Sequence, residues 1–468
     1  MKKQILLFTA ALLFCIVSAF AQGGTTGPLT WNINNGTLTI SGEGEMPDYL
    51  LDQPWYDYKD DIHTLVIESG VTSIGSFAFY YFENLTSVSI SNNVLSINSY
   101  AFFNCEKLPS IVFPDGLINI AFMAFGGCSA LSSLFLPKSV TIIEPMSFLS
   151  CYSLTSIEVD SENNSYTSEN GVLFNKDKTA IICCPAGKEG EYVIPNSVKT
   201  IENAAFYSCS ILTAIIIPNS VTSIEQNAFI DCTSLISIAI PIGVSSIKEK
   251  TFFACKSLTS IMLPNSVTSI GQSAFNYCTS LISITIPSGV TSIGWGVFSD
   301  CTNLHLITNL NPVPVVIYEN VFNGVDQSAC TLEVPMGSVS AYKEAAVWKE
   351  FNIVGINVGV VETDNYPSLR VFPNPTTGVL NIIQETINNE QLTINNVEIF
   401  DIYGRKAISD MRLSDMRYPT SEIGKSEIGQ SEIGTSEIKI NIAHLPAGLY
   451  FVKISTETGE VVKKIIKQ

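Results

Sequence analysis

A repeat of 23 residues is the feature of this sequence that most restricts its fold. Residues 258–278 read LTSIMLPNSVTSIGQSAFNYC, and residues 281–301 read LISITIPSGVTSIGWGVFSDC. Leucine, phenylalanine and cysteine each return every 23 residues, in two runs with one interruption between them. A fixed period in this range is typical of a solenoid, in which each repeat buries its apolar side chains only against its neighbours.

One repeat predicts a coil with three sides. Leu258, Ile261 and Leu263 indicate a short first strand, which Pro264 ends because proline donates no hydrogen bond to a strand ladder. A second apolar edge and a third side, predicted as one helical turn, follow it. The residues of those two sides are Val267, Ile270, Ala274, Phe275 and Cys278. Coils stacked about 4.8 Å apart, the spacing of strands in a sheet, place equivalent residues above one another in ladders.

This L-T-S-I-x-I-P-x-S-V-T-S-I-G-x-x-A-F-x-x-C unit resembles the BspA-like leucine-rich repeat family of bacterial surface proteins, over residues 30–355. Residues 36–58 resemble the entry segment of that family, and residues 334–351 resemble its closing segment. The closing segment predicts a short amphipathic helix with Tyr342, Ala346 and Trp348 over the last exposed core. A solenoid needs such caps because its ends otherwise expose apolar side chains and unpaired strand edges.

The repeat is interrupted once, between Leu154 and Leu212, where one unit has 12 extra residues. Turn signals such as Asn170-Gly171 beside apolar stretches predict a protruding hairpin near residues 160–188. Four side chains in this stretch have oxygens that could suggest calcium: Asp160, Glu162, Asn163 and Asn164. Their spacing fits no calcium loop, so a solvated turn is expected.

The amino terminus is typical of a secretory signal. Lys2 and Lys3 precede an apolar run, and Ala19-Phe20-Ala21 provides small residues for cleavage before Gln22. A lipoprotein signal would need a small residue before Cys15, where Phe14 stands. We therefore expect residues 1–21 to be a signal peptide, residues 22–61 to form the N-terminal cap, and residues 62–355 to form the solenoid with a closing cap at 331–355.

Beyond a linker at residues 356–368, the chain changes character. Alternating apolar strands with glycine turns over residues 369–468 predict a small β-sandwich, with a flexible insert at 409–438 that includes the repeated SEIG pentads. These residues resemble the type A sorting domain of the type IX secretion system. The matching residues are Pro373, Asn374, Pro375, Gly378, Tyr403, Gly404, Arg405, Gly448, Leu449, Tyr450, Lys463, Lys464, Ile465 and Ile466. The resemblance implies passage across the outer membrane of a Gram-negative bacterium, then release or attachment at the cell surface with loss of this domain.

Charge and composition exclude several classes of partner. The formal net charge is −18, so the chain lacks the basic surface that binds nucleic acid or anionic lipid. After the signal no apolar run has transmembrane length, so we expect no integral membrane segment. The three histidines, His63, His305 and His444, lie too far apart along a rod to form a triad or metal site. We therefore predict neither an enzyme nor a cofactor.

The cysteines favour buried thiols over disulfides. Export permits disulfides, but one cysteine per coil pointing the same way suits a disulfide poorly and behaves as a small apolar residue. Cys183-Cys184 and Cys330 lie outside the ladder. The vicinal pair could be redox-active, although a strand would bury one thiol and expose the other.

The outward residues of the first strands form the candidate partner-binding face. They are expected to make a continuous sheet surface with a serine stripe, a partly apolar stripe and little charge. The candidate residues are Ser87, Ser110, Ser133, Ser260, Ser283, Val66, Val112, Phe135, Ile216 and Met262. Aligned apolar residues in water often mark contact sites, and solenoids commonly bind partners through such sheets, although valine and isoleucine also simply favour strands.

Two functions remain open from the sequence. The family resemblance implies a secreted or cell-surface protein that binds proteins or glycans on host or bacterial surfaces, with the type IX machinery as its export partner. The alternative is an exported enzyme or inhibitor with its active loop on the scaffold, for which the hairpin near 160–188 is the place to look. A structural coat component is a third possibility.

Export can be tested by terminal mass. We predict that the mature protein begins at Gln22 and has lost the residues after about 365, because the signal and the sorting domain are removed in transit. Mass spectrometry of the protein from cells and from medium checks both ends. An intact carboxyl terminus on a cytoplasmic species would contradict the export hypothesis.

Overall fold

The computed structural model describes residues 22–356 and, beyond them, the backbone of seven strands between residues 369 and 467. The described residues fall into two compact units. The first contains the coils up to Leu332 together with Glu344–Asn352, and the second contains residues 333–343 and the C-terminal strands. The predicted signal peptide at 1–21 and the linker from 357 to 368 lie outside the described residues.

The N-terminal cap consists of antiparallel strands that join the parallel strands of the solenoid. Its strands are β1 (Gln22–Thr26), β2 (Leu29–Asn34), β3 (Thr37–Gly42) and β4 (Gly44–Glu45), followed by a 3-10 turn at Tyr56–Tyr58. β1, β2 and β3 pair as antiparallel neighbours, and β3 then pairs in parallel with the first strand of the first coil. The edge of the solenoid is therefore covered by a hairpin of the same chain, which protects it from pairing with another molecule.

Each coil contributes a first strand and a shorter second strand. Before the interruption these are β5 (Thr64–Ile67), β6 (Val71–Ile74), β7 (Ser87–Ile90), β8 (Ser96–Ile97), β9 (Asn119–Ile120), β10 (Ser133–Leu136), β11 (Ile142–Ile143) and β12 (Ser156–Val159). The interruption holds β13 (Tyr166–Glu169), β14 (Val172–Asn175) and β15 (Ala180–Cys183). The later coils hold β16 (Gly190–Val193), β17 (Thr200–Ile201), β18 (Leu212–Ile216), β19 (Ser223–Ile224), β20 (Ser237–Ala239), β21 (Ser246–Ile247), β22 (Ser260–Met262), β23 (Ser269–Ile270), β24 (Ser283–Ile286), β25 (Ser292–Ile293) and β26 (Leu306–Asn309).

Equivalent residues of neighbouring coils face one another, as the 23-residue period predicts. Within the later coils Ser237 is opposite Ser260, and Ser260 is opposite Ser283. The inward residues of these strands, such as Ile261 and Leu263, are buried, and so are Val267 and Ile270 of the second edge. The solenoid is thus a stack of parallel strands around one continuous apolar interior.

Backbone hydrogen bonds between coils run in opposite directions on different sides. On the strand sides, Thr259 N–H donates to Ile236 C=O of the preceding coil at 3.0 Å. On the third side, Phe252 N–H donates to Ala274 C=O of the following coil at 2.8 Å. Every coil is therefore held by its neighbours on both sides, and these bonds pair backbone groups that face the neighbouring coils.

The prediction of a helical turn on the third side is wrong. This turn side, which runs from two residues before each ladder phenylalanine to the ladder cysteine, is a series of tight turns with left-handed residues. Ser273 has φ 52° and Tyr277 has φ 60°, two residues before and after Phe275. A helix would bond its N–H groups within the coil, whereas alternate N–H groups here point along the solenoid axis to the next coil.

Two ladders run through the interior on the turn side. Phe229, Phe252, Phe275 and Phe298 stack nearly parallel, with ring centroids 5.3 to 5.6 Å apart. Beside them every ladder cysteine except Cys209, the first of the second run, donates its S–H to the carbonyl of a phenylalanine in the preceding coil, as Cys278 does to Phe252 at 3.1 Å. Offset aromatic stacking adds to the free energy of burial, so the phenylalanine is the largest repeated contributor to the core.

A tryptophan ends the phenylalanine ladder at each end of the described repeats. Trp55 stacks on Phe79 at 5.8 Å, and its indole N–H donates to Ala78 C=O. Trp348 meets Phe322 edge-on at 5.5 Å, and its indole N–H donates to Val315 C=O. Both tryptophans are fully buried, so each covers the last ring and keeps its own polar group satisfied.

The helix of the closing segment is shorter than the sequence predicts. It contains β27 (Thr331–Pro335), a 3-10 turn at Met336–Ser338, helix α1 (Val339–Glu344), a 3-10 turn at Trp348–Glu350 and β28 (Asn352–Ile356). Tyr342 on the helix is buried as expected, but Ala346 lies beyond the helix and is exposed. The helix ends at Glu344, and Val347, with φ 68° and ψ −49°, then turns the chain before Trp348.

The C-terminal strands form two antiparallel sheets. They are β29 (Leu369–Phe372), β30 (Val379–Glu385), β31 (Ile394–Asp401), β32 (Lys406–Ile408), β33 (Thr435–Asn441), β34 (Gly448–Thr456) and β35 (Gly459–Lys467). One sheet has the order β29-β30-β33 and the other has the order β32-β31-β34-β35. The packing of a sandwich stays a prediction. β33 begins within the last residues of the predicted insert at 409–438, the rest of which lies outside the described residues.

The phenylalanine ladder can be tested with two adjacent residues. Phe252→Ala should lower the free energy of unfolding by about 3–5 kcal/mol, because it leaves a cavity between two stacked rings. Phe253→Ala removes the same atoms from a half-buried neighbour outside the ladder and should cost about 1 kcal/mol or less. Chemical denaturation of both variants measures the difference. Equal losses would show that a fully buried phenylalanine of the ladder contributes no more than a half-buried one outside it, and would contradict the ladder as the main repeated contributor to the core.

Candidate binding surfaces

The first-strand face, made of the outward side chains of the first strands, is apolar at several positions. Val112 is 81% exposed, and Phe135, the equivalent residue of the next coil, is 55% exposed. Met262 is 51% exposed, whereas Val66 and Ile216 are only half-buried. Ser87, Ser110, Ser133 and Ser260 are exposed, and Ser283 is partly buried. The predicted site residues therefore share one face, with the most exposed apolar pair at Val112 and Phe135.

This face is not the continuous sheet that the sequence predicts. Residues 110–113 form no strand, so β7 and β10 are not joined through them. Elsewhere the residue after the ladder leucine donates its N–H to the preceding coil, as Thr86 does to His63 C=O at 2.9 Å. In the coil that contains residues 110–113, this position is occupied by Pro109, which has no N–H to donate. A second break separates β12 from β16 at the insertion.

The insertion contains a hairpin where the sequence predicts one. β13 and β14 pair as antiparallel strands across Asn170-Gly171, whose φ values of 52° and 77° suit a tight hairpin turn. β14 then pairs with β15, and β15 pairs in parallel with β17, the second strand of the next coil. The insertion is therefore a partial coil, with a second strand in register but without a turn side.

The turn before the hairpin, which contains Asp160, Glu162, Asn163 and Asn164, is held to the preceding coil by the side chain of Asn163. Asn163 is fully buried, which corrects the expectation that it is solvated. Its amide nitrogen donates to the carbonyls of Pro137 and Val140, and its amide oxygen accepts the N–H groups of Ser165 and Tyr166. With all four bonds made to backbone groups, the side chain fixes the turn to the coil below it.

At the insertion, the side chain of Tyr166 takes the place of a neighbouring strand beside β11, the last second strand of the first run. Its hydroxyl accepts the N–H of Ile143 at 3.0 Å and donates to the carbonyl of Thr141 at 3.3 Å. A neighbouring strand would satisfy the same groups in an uninterrupted solenoid. The charged side chains of the hairpin are also engaged, since Lys178 pairs with Glu169 at 2.5 Å and Lys176 donates to the carbonyl of Asn163.

A cleft of ≈ 130 Å³ opens on the turn side of this break. The turn sides of the flanking coils, near residues 144–149 and 202–207, lie on either side of it, because the partial coil between them supplies no turn side of its own. Ile182, Cys183 and Cys184 of the partial coil line it as well. At one end the flanking coils meet again, where the hydroxyls of Ser150 and Ser208 are 3.3 Å apart.

Two carboxyl groups at equivalent positions line the cleft. Glu144 and Glu202 each follow the last isoleucine of a second strand, one on each flanking coil. Glu144 accepts the N–H of Phe122 at 2.8 Å. Burial raises the pKa of Glu202, the neighbouring Glu225 carboxylate raises it further, and Lys248 lowers it only in part. Lys248 itself pairs with Glu225 at 2.5 Å, so its charge is already engaged.

The thiols near the cleft are of two kinds: ladder cysteines, and Cys183 and Cys184 of the partial coil, which lie outside the ladder. All eleven cysteines of the described residues are free, and only Cys183 is not fully buried. Cys209 begins the second run and donates to the carbonyl of Cys184 at 3.6 Å, since the partial coil has no phenylalanine to offer. Burial raises the pKa of the ladder thiols, to about 12 for Cys301, and also raises that of Cys183.

Little else in the described chain suggests chemistry. His63 and His305 are both exposed, near opposite ends of the repeats, while His444 lies outside the residues whose side chains are described. Within residues 22–356 and the C-terminal strands, no group of three histidine, cysteine or acidic side chains is placed to hold a metal ion. No helix in this part of the chain has the length and apolarity of a membrane-spanning segment.

The cleft is the feature that sequence reasoning missed. Its signal is the absence of one A-F-x-x-C turn between Phe148 and Phe206, although the strands on either side continue. The sequence shows the extra residues, but it does not show which side of the coil they leave unfilled. The pairing of β15 with β17 decides this, because it places a second strand in the partial coil and leaves the turn side open.

Family models match most of the repeats and the carboxyl end. The model described as the BspA type leucine rich repeat region matches residues 53–176 and 189–329 in six copies, more than half of the chain. The model described as a secretion system C-terminal sorting domain matches residues 422–468. Of the predicted sorting residues, Gly448, Tyr450, Lys463 and Lys464 fall inside that match, and the motifs from Pro373 to Arg405 precede it.

Solved structures of bacterial repeat proteins are similar to this chain. A leucine-rich repeat protein from Eubacterium ventriosum is 26% identical over 71% of this chain and 93% of that one, with a TM-score of 0.49. A leucine rich cell surface protein from Faecalibacterium prausnitzii is 28% identical over 63% and 96%, with a TM-score of 0.46. The pneumococcal vaccine antigen PcpA is 18% identical over 72% and 99%, with a TM-score of 0.55, and supports the fold alone. No curated protein is significantly similar to the chain.

Alkylation tests the free thiols of the ladder. At pH 8 iodoacetamide should modify Cys183 first and leave the ladder cysteines of the native protein unmodified. Cys183 is the one partly exposed thiol among the described cysteines, so the reagent reaches it first, whereas the ladder thiols are buried. Burial raises the pKa of Cys183 and of the ladder thiols alike, so the reaction of Cys183 should be slow, because only the thiolate reacts. Mass spectrometry without reductant follows the labels, and unfolding in guanidinium should release all eleven thiols. Disulfide-linked peptides from ladder positions would refute the thiol ladder.

Proposed function

Because this chain belongs to the BspA-type leucine-rich repeat family, we propose that it is a binding protein that attaches to proteins or glycans on host or bacterial surfaces through its first-strand face. The observation that carries the proposal is the pair Val112 and Phe135, two large apolar side chains exposed on neighbouring coils of that face. Their alignment follows from the coil spacing, and their exposure serves no packing purpose in the solenoid.

The place where the protein acts follows from its carboxyl end. A secretion system sorting domain marks a chain that the type IX system exports to the cell surface or the medium. The type IX machinery is therefore one partner of this protein. A surface protein meets its other partners from outside the cell, where an elongated repeat offers a long contact surface.

The composition of the face suits adhesion. Serine hydroxyls and exposed apolar side chains alternate along it, and one of its few charged side chains, Glu158, accepts hydrogen bonds from Ser156 and Ser168. Interfaces commonly combine an apolar centre depleted in charge with a polar rim. The breaks at residues 110–113 and at the insertion divide the face into sections. Val112 lies in the first break, and Phe135 lies on the neighbouring strand, in the section between the two breaks.

Adhesion can be tested with charge substitutions on the face. The double variant Val112→Asp, Phe135→Asp should bind at least about ten-fold more weakly, because each carboxylate would lose its hydration in the contact. The measurement is surface plasmon resonance of the mature chain against immobilised matrix proteins and a glycan array.

Ile242→Asp is the matched control, since Ile242 is 74% exposed but follows Pro241 outside the first strand. It should bind as the parent does. A face variant that binds every immobilised probe as tightly as the parent, or a control that loses binding equally, would exclude the first-strand face as the adhesive surface.

A further inference from the structure

The cleft at the interruption has the composition of a small binding site. Its walls include Ile143, Met146 and Ile182, and its polar groups include the carboxyls of Glu144 and Glu202. None of the residues that line it is a lysine or an arginine. A site with apolar walls and carboxylates suits a ligand that has an apolar stem and a positively charged end.

Glu202 is the group that points to a ligand. Its carboxylate has no hydrogen bond or ion pair with any described side chain, although its exposure is only intermediate. The equivalent residue of the next coil, Glu225, does have a cation, Lys248, which binds both of its oxygens. A half-buried carboxylate without a cation in an apolar cleft, next to a carboxylate that has one, is an arrangement that a cationic ligand would stabilise.

The volume limits what can enter. A cavity of ≈ 130 Å³ is close to the size of a cavity of about 150 Å³ that accommodates benzene. It holds one long side chain and excludes a sugar chain or a dinucleotide, whose sites are several times larger. We propose that this cleft binds the side chain of a lysine on a partner protein, with its methylene stem against Met146 and Ile182 and its ammonium group at Glu202.

This site is separate from the proposed adhesive surface. The cleft lies on the turn side of the coils, whereas the first-strand face is formed by the outward residues of the first strands. The inference therefore does not depend on adhesion through Val112 and Phe135. A partner that used both would contact two sides of the solenoid near the same interruption, and each contact can be removed alone.

The test uses n-butylammonium as a probe of the stem and charge together. The mature full chain is labelled with ¹³C at the methionine methyl groups, and Met146→Leu assigns the methyl in the cleft. We expect n-butylammonium to shift the Met146 signal saturably and n-butanol, which has the same stem without the charge, to bind at least ten-fold more weakly. The methyl of Met262 reports on the first-strand face and should not move.

Two variants connect the binding to the carboxylate. Glu202→Gln should weaken n-butylammonium binding at least ten-fold, while Glu249→Gln, two coils further along and paired with Lys250, should leave it unchanged. Cys183→Leu keeps the carboxylate and fills the cleft, so it should also abolish binding. An unmoved Met146 signal, equal binding of n-butanol, or full binding by Glu202→Gln would each overturn the proposal. A shift of Met262 alone would place the ligand on the other surface and equally overturn it.

Discussion

The stacking of one coil on the next, in register and through hydrogen bonds on every side, is the constraint on which the rest of this structure depends. Backbone N–H groups on the strand sides point to the preceding coil and those on the turn side point to the following coil. Because both sets must be satisfied, each coil has to repeat the shape of its neighbours. The phenylalanine column and the thiol-to-carbonyl bonds occupy the space that this geometry leaves, and the same residues therefore recur every 23 positions.

Departures from the repeat are where the molecule becomes specific. Pro109 removes one N–H and with it a strand of the first-strand face, close to the exposed Val112. The insertion supplies a strand but no turn side, and the cleft results. At that break Tyr166 and Asn163 satisfy the backbone groups that the missing neighbours would have paired, so the interruption leaves a closed core. Both candidate binding surfaces thus lie where the ladder is imperfect, which agrees with the general expectation that functional sites break local rules.

The protein has a buried interior and an exposed surface of different chemistry in its described repeats. Its interior thiols are buried and engaged with carbonyl groups, and their raised pKa values keep them protonated. Its outer surface is what contacts other molecules, and the sorting domain places that surface outside the cell. An acidic solenoid with an unpaired carboxylate in a small apolar cleft is better suited to a cationic side chain than to an anion, because the net charge of −18 repels anions at long range as well.

The sequence by itself determined the period, the three-sided coil, the inward leucine, isoleucine, phenylalanine and cysteine, the two capped ends and the sorting domain. These follow from local rules, since each repeat only has to match an identical neighbour. The tertiary structure decided the rest. The turn side is a chain of left-handed turns and not a helix because its N–H groups bond to another coil, which no single repeat can reveal. The break at Pro109 and the cleft beside Glu202 arise from contacts between coils that differ, and those contacts exist only once the chain has stacked.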